Sequence, residues 1–240
     1  MGRRVSEAVI EIAGLRKHYH GLRPLRVDRF VLYPSDRVVI SGFDAAAAEV
    51  FQHLVTGASL PDEGDVRVFG KNTREIATDT EWLASLDRFG LITARAVLLE
   101  SMPLCSNLAL PFTVAIDPIP ADVLARVERL ADEVGLARDR LSVRAGDLTP
   151  EERLRIHLAR ALAPDPLVLL LEHPTASVAP DAAVRFGETL RRVSDRRRLA
   201  WVALSEDVRF ARAAGGATRA WAPATGQVRA VGFWRKMFST

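Results

Sequence analysis

The chain has 240 residues, which is enough for one large or two small domains with a sizeable apolar core. It is 48% hydrophobic and 26% charged, as is typical of a soluble globular protein, and its net charge of +3 is too small to indicate nucleic-acid binding. The single cysteine, Cys105, excludes an intramolecular disulfide. No apolar run approaches the roughly 18 to 20 residues of a membrane-spanning helix, and no signal-peptide core follows the N-terminus, so the sequence predicts a cytoplasmic protein.

The first third of the chain predicts mainly strands separated by turns. The strand patterns cover residues 9–12, 26–32, 37–40, 65–69 and 91–92. Helical patterns cover residues 45–54 and 81–89.

The middle of the chain predicts a small helical insertion. Four prolines punctuate residues 100–120, and a helix is predicted over residues 121–134, where apolar residues recur at helical spacing until Gly135 ends the pattern.

From residue 149 onward, helices and strands alternate. The predicted elements are a helix at 150–162, a strand at 167–171, a helix at 181–193 and strands at 199–204 and 227–231. This alternation predicts parallel strands joined by crossover helices, and therefore one α/β unit with a helical insert.

The order of these elements resembles the ATP-binding cassette subunits of ABC transporters over about residues 8–231. The stretches that carry the resemblance are GLRKHY at 14–19, DEGDVRVFG at 62–70, NLALP at 107–111, ARALA at 159–163 and EHPT at 172–175. The resemblance implies an α/β, P-loop NTPase-like core of the ABC ATPase type, with a mixed sheet and an N-terminal antiparallel β part. This core would comprise residues 5–93 and 141–231, with a helical subdomain at 94–140 and a C-terminal tail at 232–240.

The phosphate loop of this family needs glycine amides that wrap the phosphates, a lysine for the β- and γ-phosphates, and a hydroxyl residue for magnesium. The matching stretch is GFDAAAAE at residues 42–49, in which Gly42 is retained and an alanine replaces the second glycine. Ala48 replaces the lysine, and Glu49 replaces the hydroxyl residue. Asp44 adds a negative charge and is suited to cap a helix that extends back through the loop. The resemblance therefore makes Gly42, Ala48 and Glu49 a vestigial nucleotide site with little expected affinity for ATP.

The signature loop of the family, whose glycine amides face the nucleotide of the partner cassette, matches LTPEE at residues 148–152. Thr149, followed three residues later by Glu152 and with Pro150 at the first helical position, predicts a capping box instead. Carboxylates therefore stand where phosphate would bind.

The remaining nucleotide motifs are also altered. The position of the adenine-stacking aromatic is kept as Tyr19, that of the Q-loop glutamine is Ala94, and that of the switch histidine is Glu206. Glu172 keeps the acid of the Walker B strand and is a possible magnesium ligand, whereas His173 replaces the catalytic glutamate. A histidine without the lysine and the γ-phosphate contacts has no bound phosphate to act on. No catalytic residue is therefore assigned and no cofactor is expected, with ATP and magnesium retained only for an unconventional active ATPase.

The resemblance also implies partners. Cassettes of this family pair head to tail and receive a membrane subunit beside the helical insertion, so we expect a membrane-spanning ABC subunit and a second cassette, either a copy of this chain or an intact paralogue. No nucleic acid is expected, and the location implied is the inner face of the cell membrane. The candidate partner contacts are Leu98, Leu99, Ser106, Asn107 and Pro111. The tail at residues 233–238 is expected to pack against its own domain.

Three functions remain open at this point. The first is a pseudo-ATPase subunit of a transporter, with a structural or regulatory role. The second is an unconventional but active ATPase that uses Glu172 and His173, and the third is a free-standing interaction protein of the same fold. Residues 107–111 resemble subunits of lipoprotein-release, macrolide-export and lipid-trafficking transporters, which suggests lipid-related transport for the first function.

Overall fold

A computed structural model of the chain describes residues 7–93 and 95–231. The strands are β1 (Ile10–Lys17), β2 (Leu25–Leu32), β3 (Arg37–Ser41), β4 (Glu63–Val68), β5 (Lys71–Asn72), β6 (Phe89–Ile92), β7 (Val168–Glu172), β8 (Ala200–Leu204), β9 (Ala217–Ala222) and β10 (Gln227–Ala230). The α-helices are α1 (Ala45–Val55), α2 (Asp79–Leu86), α3 (Leu104–Ala109), α4 (Ala121–Val134), α5 (Pro150–Leu162), α6 (Pro180–Arg197) and α7 (Val208–Ala214).

The N-terminal strands form an antiparallel sheet in the order β2-β1-β4-β5. Its inner face is apolar because buried residues alternate with exposed ones along β1, as the two-residue period of a strand requires. Ile10 pairs with Leu32 and Ile12 with Phe30 across the β1–β2 ladder, and all four side chains are buried.

The second sheet has six strands in the order β10-β9-β3-β8-β7-β6. The five strands from β9 to β6 are parallel, and β10 runs antiparallel to β9. β7 and β8 are buried along their whole length, which explains their continuous apolar sequences. The loops that follow β3, β6, β7 and β8 leave the sheet at the same edge, where open α/β sheets bind ligands.

Two apolar layers cover the six-stranded sheet. One lies between this sheet, α1 and the antiparallel sheet, and includes Phe30, Phe51 and Leu170. The other covers the opposite face and joins residues of the helical insertion, such as Val127, to Leu158 of α5 and Trp201 of β8 in a single cluster. The helical insertion therefore shares its core with the sheet.

The predicted bounds of α4 and α5 are confirmed, and α1 begins where the sequence predicts. The helix predicted at 81–89 is wrong at both ends: Thr78 caps its start, and Phe89 already belongs to β6. α7 and β9 lie between residues 204 and 227, where the sequence pattern predicts no element. No regular alternation of apolar and polar residues marks β9, in which Trp221 is the one buried side chain, so the strand is recognisable only through its pairing with β3 and β10.

Candidate functional site

The loop after β3 turns directly into α1. Asp44 caps the helix, and its carboxylate accepts a hydrogen bond of 2.7 Å from the backbone amide of Ala47. The helix therefore starts two residues before the position of the second glycine of a phosphate loop, as the capping by Asp44 predicts. Gly42 has a φ of +101°, and a Cβ there would lie 2.5 Å from the carbonyl oxygen of Trp221, so only glycine fits this turn.

The two altered positions on α1 face different surroundings. Ala48, at the lysine position, is fully buried in the apolar layer between the sheets. Glu49, at the hydroxyl position, is partly exposed, and its carboxylate lies 3.3 Å from the guanidinium of Arg95.

The acid at the end of β7 is paired with the same arginine. The Glu172 side chain is only 4% exposed, and its two oxygens accept hydrogen bonds of 2.8 and 3.3 Å from the two terminal nitrogens of Arg95. Such a bidentate pair is among the stronger charge-assisted contacts in proteins. Arg95 is not among the site residues predicted from the sequence. The available signal was an arginine one residue after the Q-loop position, in a site whose motif positions had gained acids.

The loop after β8 contributes a second carboxylate that, like Asp44, accepts a hydrogen bond from a backbone amide near the start of α1. Glu206, at the switch position, accepts a hydrogen bond from the backbone amide of Gly42. The next residue, Asp207, caps α7 and accepts a hydrogen bond of 3.0 Å from the hydroxyl of Thr175. The amides of Gly42 and Ala47 thus both donate to carboxylates of the same chain.

His173 follows directly after β7 in a left-handed conformation, with φ of +42°, which is uncommon for a residue other than glycine. Its backbone amide donates to the carbonyl of Leu204, so its position continues the sheet. The ring nitrogen Nε2 is buried and has no hydrogen-bond partner in the described part of the chain. Among the described residues, no acid therefore orients the imidazole through this nitrogen, as one would in a general base.

The predicted capping box at the signature position is confirmed. The Glu152 amide donates to the Thr149 hydroxyl at 3.3 Å, and the Glu152 carboxylate accepts from the Thr149 amide at 2.9 Å. Arg140 also donates to this carboxylate, at 2.7 Å. Burial raises the pKa of Glu152, but the hydrogen bonds from Arg140 and Thr149 outweigh it and hold the pKa below its usual value.

A cleft of about 780 Å³ lies between the starts of α1 and α5 and the end of β7. Glu172, His173 and His157 line it together with apolar residues. Burial, followed by the charges of Arg160 and Arg153, lowers the pKa of His157, which therefore stays neutral at pH 7.

Tyr19 is partly buried against the apolar layer between the two sheets. Burial raises the pKa of its hydroxyl, and the charge of Asp44 raises it further. The Tyr19 hydroxyl is thus near enough to the start of α1 to be affected by the charge of its capping residue, Asp44.

The predicted partner contacts differ in exposure. Leu99 and Pro111 are exposed, whereas Leu98, Ser106 and Asn107 are buried. The Asn107 side chain accepts from the amide of Leu99 at 2.8 Å and donates to its carbonyl at 3.1 Å. The Asn107 side chain therefore stabilises the turn before α3, and Ser106 is buried next to it in sequence, so the contact of these two residues with a partner stays a prediction.

Ala94 and the tail at 233–238 lie outside the described residues, so their predicted roles stay predictions. In the described ranges, 7–93 and 95–231, no group of three or more His, Cys, Asp or Glu side chains could hold a metal ion. Among the helices of these ranges, none combines the length and apolar character needed to cross a membrane.

No family model matches the chain. It is 25% identical over 206 residues to the lipoprotein-releasing system ATP-binding protein LolD of Pseudomonas syringae pv. tomato, covering 86% of this chain and 84% of LolD. It is also 30% identical over 174 residues to the methionine import ATP-binding protein MetN 2 of Paraburkholderia xenovorans, covering 72% of this chain and 44% of MetN 2.

Solved structures show the same fold. The ATP-binding cassette MJ0796, in a dimeric post-hydrolysis state bound to ADP and Pi, superposes with a TM-score of 0.73 at 17% identity, covering 93% of this chain and 100% of that one. The predicted fold class is confirmed: this chain has the ABC ATPase cassette fold, and its homologues are ATP-binding proteins of ABC transporters.

Proposed function

We propose that the chain is a non-catalytic cassette subunit of a membrane ABC transporter, with a structural or regulatory role. The observation that carries the proposal is the mutual pairing of the groups at the nucleotide edge of the sheet. Glu206 and Asp44 accept hydrogen bonds from the backbone amides at the start of α1, and Arg95 pairs with Glu172 and Glu49. Donors and acceptors that an ATPase leaves for its substrate are engaged within the chain.

The residues at this edge do not fit magnesium-ATP. The lysine position is the buried Ala48, and the hydroxyl position is the acid Glu49. A polyphosphate would have to displace two carboxylates from their amides and then lie beside them, where charge repulsion opposes binding. Glu172, the one acid kept at a metal-binding position, already has a guanidinium as its cation.

The altered motifs also indicate which second cassette would pair with this chain. Two copies of this chain would contain no intact composite site, because Thr149 and Glu152 satisfy one another at the signature position. An intact paralogue would keep its own phosphate loop but would meet this capping box across the interface. Pairing with such a paralogue lets this chain transmit shape changes while the partner binds ATP.

A membrane-spanning subunit is proposed as the second partner, which would hold the chain at the inner face of the membrane. Exposed apolar residues support this proposal. They lie within or next to residues 98–111, which carry the predicted partner contacts: Val97 is 73% exposed and Val114 is 96% exposed, and Leu99 and Pro111 are exposed near them in sequence. We call residues 97–114 the docking segment. A helix-in-groove contact needs apolar anchors of this kind. The likeness to a LolD protein favours lipoprotein or lipid transport as the cargo class.

ATP turnover by the purified chain tests the non-catalytic assignment. We expect phosphate release at the background rate for the wild type and for His173→Glu, because catalytic groups that act as a unit are not restored singly. A LolD protein assayed in parallel is the positive control. Steady turnover by the wild type would instead support the unconventional ATPase.

Affinity purification from detergent-solubilised membranes of the host tests the transporter assignment. We expect a membrane-spanning ABC subunit to copurify with the wild type and to be lost with Val97→Asp or Val114→Asp. Val208→Asp is the matched control, since Val208 is 67% exposed on α7, outside the docking segment. Retention by all three variants would contradict the proposed surface, and a chain that brings down no membrane subunit would support a free-standing interaction protein.

A further inference from the structure

Among the described residues, Arg95 is the only arginine whose guanidinium pairs with Glu49 or with Glu172. It lies on the loop after β6, whereas Glu49 is on α1 and Glu172 ends β7. A carboxylate as buried as that of Glu172 is costly to keep ionised without a cation and hydrogen bonds. The loop therefore supplies a charge that the core of the site requires.

We propose that the Arg95 guanidinium is the resident cation of this site in place of a divalent metal ion, and that it fastens the loop after β6 to the cassette core without nucleotide. A metal ion in an ATPase draws together the phosphate loop and the acid of the Walker B strand. Here one guanidinium contacts the residues at both positions, at 2.8 and 3.3 Å to Glu172 and 3.3 Å to Glu49. Its planar, forked donors match this two-carboxylate geometry.

The segment that Arg95 opens is held at two further points. Arg160 of α5 donates to the carbonyl of Val97 at 2.7 Å. Asn107 pairs with both backbone groups of Leu99. Hydrogen bonds and ion pairs thus connect residues 95–99 to β7, to α5 and to α3, and these residues include the exposed Val97 and Leu99 at the start of the docking segment.

The consequence concerns how the cassette responds to ligands. In a cassette whose loop is ordered by magnesium and phosphate, the docking segment changes with the nucleotide state. In this chain the three contacts that hold residues 95–99 are all made by its own side chains, those of Arg95, Arg160 and Asn107. Residues 95–99, which include the start of the docking segment, are therefore held in one arrangement whether or not nucleotide and metal are present.

Hydrogen exchange of the isolated, nucleotide-free chain tests this inference. Arg95→Ala should speed amide exchange in residues 95–99 by about tenfold or more, since local opening free energies set exchange rates. Arg16→Ala is the matched control: its guanidinium makes one ion pair, with Glu63 at 3.0 Å, on the antiparallel sheet. Unchanged exchange in residues 95–99 of Arg95→Ala, relative to Arg16→Ala, would overturn the proposal.

Magnesium provides the second readout. Removing Arg95 frees two neighbouring carboxylates, so millimolar magnesium should slow exchange and raise the melting temperature of Arg95→Ala but not of the wild type. Adding Glu172→Gln to Arg95→Ala should abolish this response. A wild type that magnesium stabilises as strongly as the variant would overturn the proposal.

A further variant covers the case in which Arg95→Ala does not fold because Glu172 is left buried and unpaired. Arg95→Met with Glu172→Gln removes both charges at similar volume and is expected to fold, because replacing both members of a buried pair is tolerated. Its residues 95–99 should also exchange about tenfold faster than in the wild type, and wild-type rates there would overturn the proposal. None of these measurements involves ATP, so their failure is distinguishable from failure of the proposed non-catalytic function.

Discussion

Magnesium-ATP is expected to bind the isolated chain only at millimolar concentration or weaker. To reach the backbone amides of Gly42 and Ala47, phosphate oxygens must displace the carboxylates of Glu206 and Asp44. The helix-cap bond of Asp44 contributes about 0.5–2 kcal/mol and the hydrogen bond to the charged Glu206 about 1.5–3 kcal/mol, so the two bonds together oppose binding by about 2–5 kcal/mol. A loss of about 4 kcal/mol is enough to convert a micromolar site into a millimolar one. Charge repulsion from the displaced carboxylates adds to this loss.

Thermal unfolding with and without about 1 mM magnesium-ATP separates the two cases. A site with a Kd of about 1 mM would stabilise the fold by about 0.4 kcal/mol, whereas a Kd of about 1 μM would stabilise it by about 4 kcal/mol. For a chain of this size, the corresponding rises in melting temperature are about 1 °C and about 8–16 °C. We therefore expect a rise of about 1 °C or less, with a LolD protein as the control that shows the larger one. A rise of several degrees in this chain, reproduced by calorimetric titration at micromolar affinity, would refute the reasoning and would mean that the phosphates bind elsewhere on the chain.

Three further outcomes follow from individual residues. Thr149→Ala should lower the unfolding free energy by about 1 kcal/mol through loss of the helix cap, and Thr149→Ser should retain most of it, as measured by urea unfolding. Because the folded-state pKa of Glu152 is lowered, its contribution is present above the unfolded value of about 4.3 and is lost as the pH falls through the folded pKa. Glu152→Gln, which weakens the pair with Arg140, should therefore melt below the wild type at pH 7, and the two melting curves should converge in acid. Gly42→Ala should destabilise the fold by more than about 2 kcal/mol, since its Cβ would meet the Trp221 carbonyl oxygen at a positive φ.

The sequence by itself determined the features that depend on neighbours along the chain. The helix over Ala121–Val134 follows from apolar spacing and a closing glycine, and the start of α5 follows from Thr149, Pro150 and Glu152, which lie within one turn. The loss of the lysine and hydroxyl positions at Ala48 and Glu49 is visible in the sequence alone, because the resemblance supplies the register. These inferences hold because helix caps and helical periodicity are local properties of the backbone.

Only the tertiary structure decided which distant side chains meet. Arg95 and Glu172 are 77 positions apart, and they pair because β6 and β7 are adjacent parallel strands whose following loops leave the same edge of the sheet. The burial of Ser106 and Asn107 likewise depends on how the turn before α3 folds over them, which no local pattern encodes. The local sequence around a charged loop residue does not show whether its side chain faces solvent or a buried acid. Its role is set by the packing of elements that the chain brings together from separate regions.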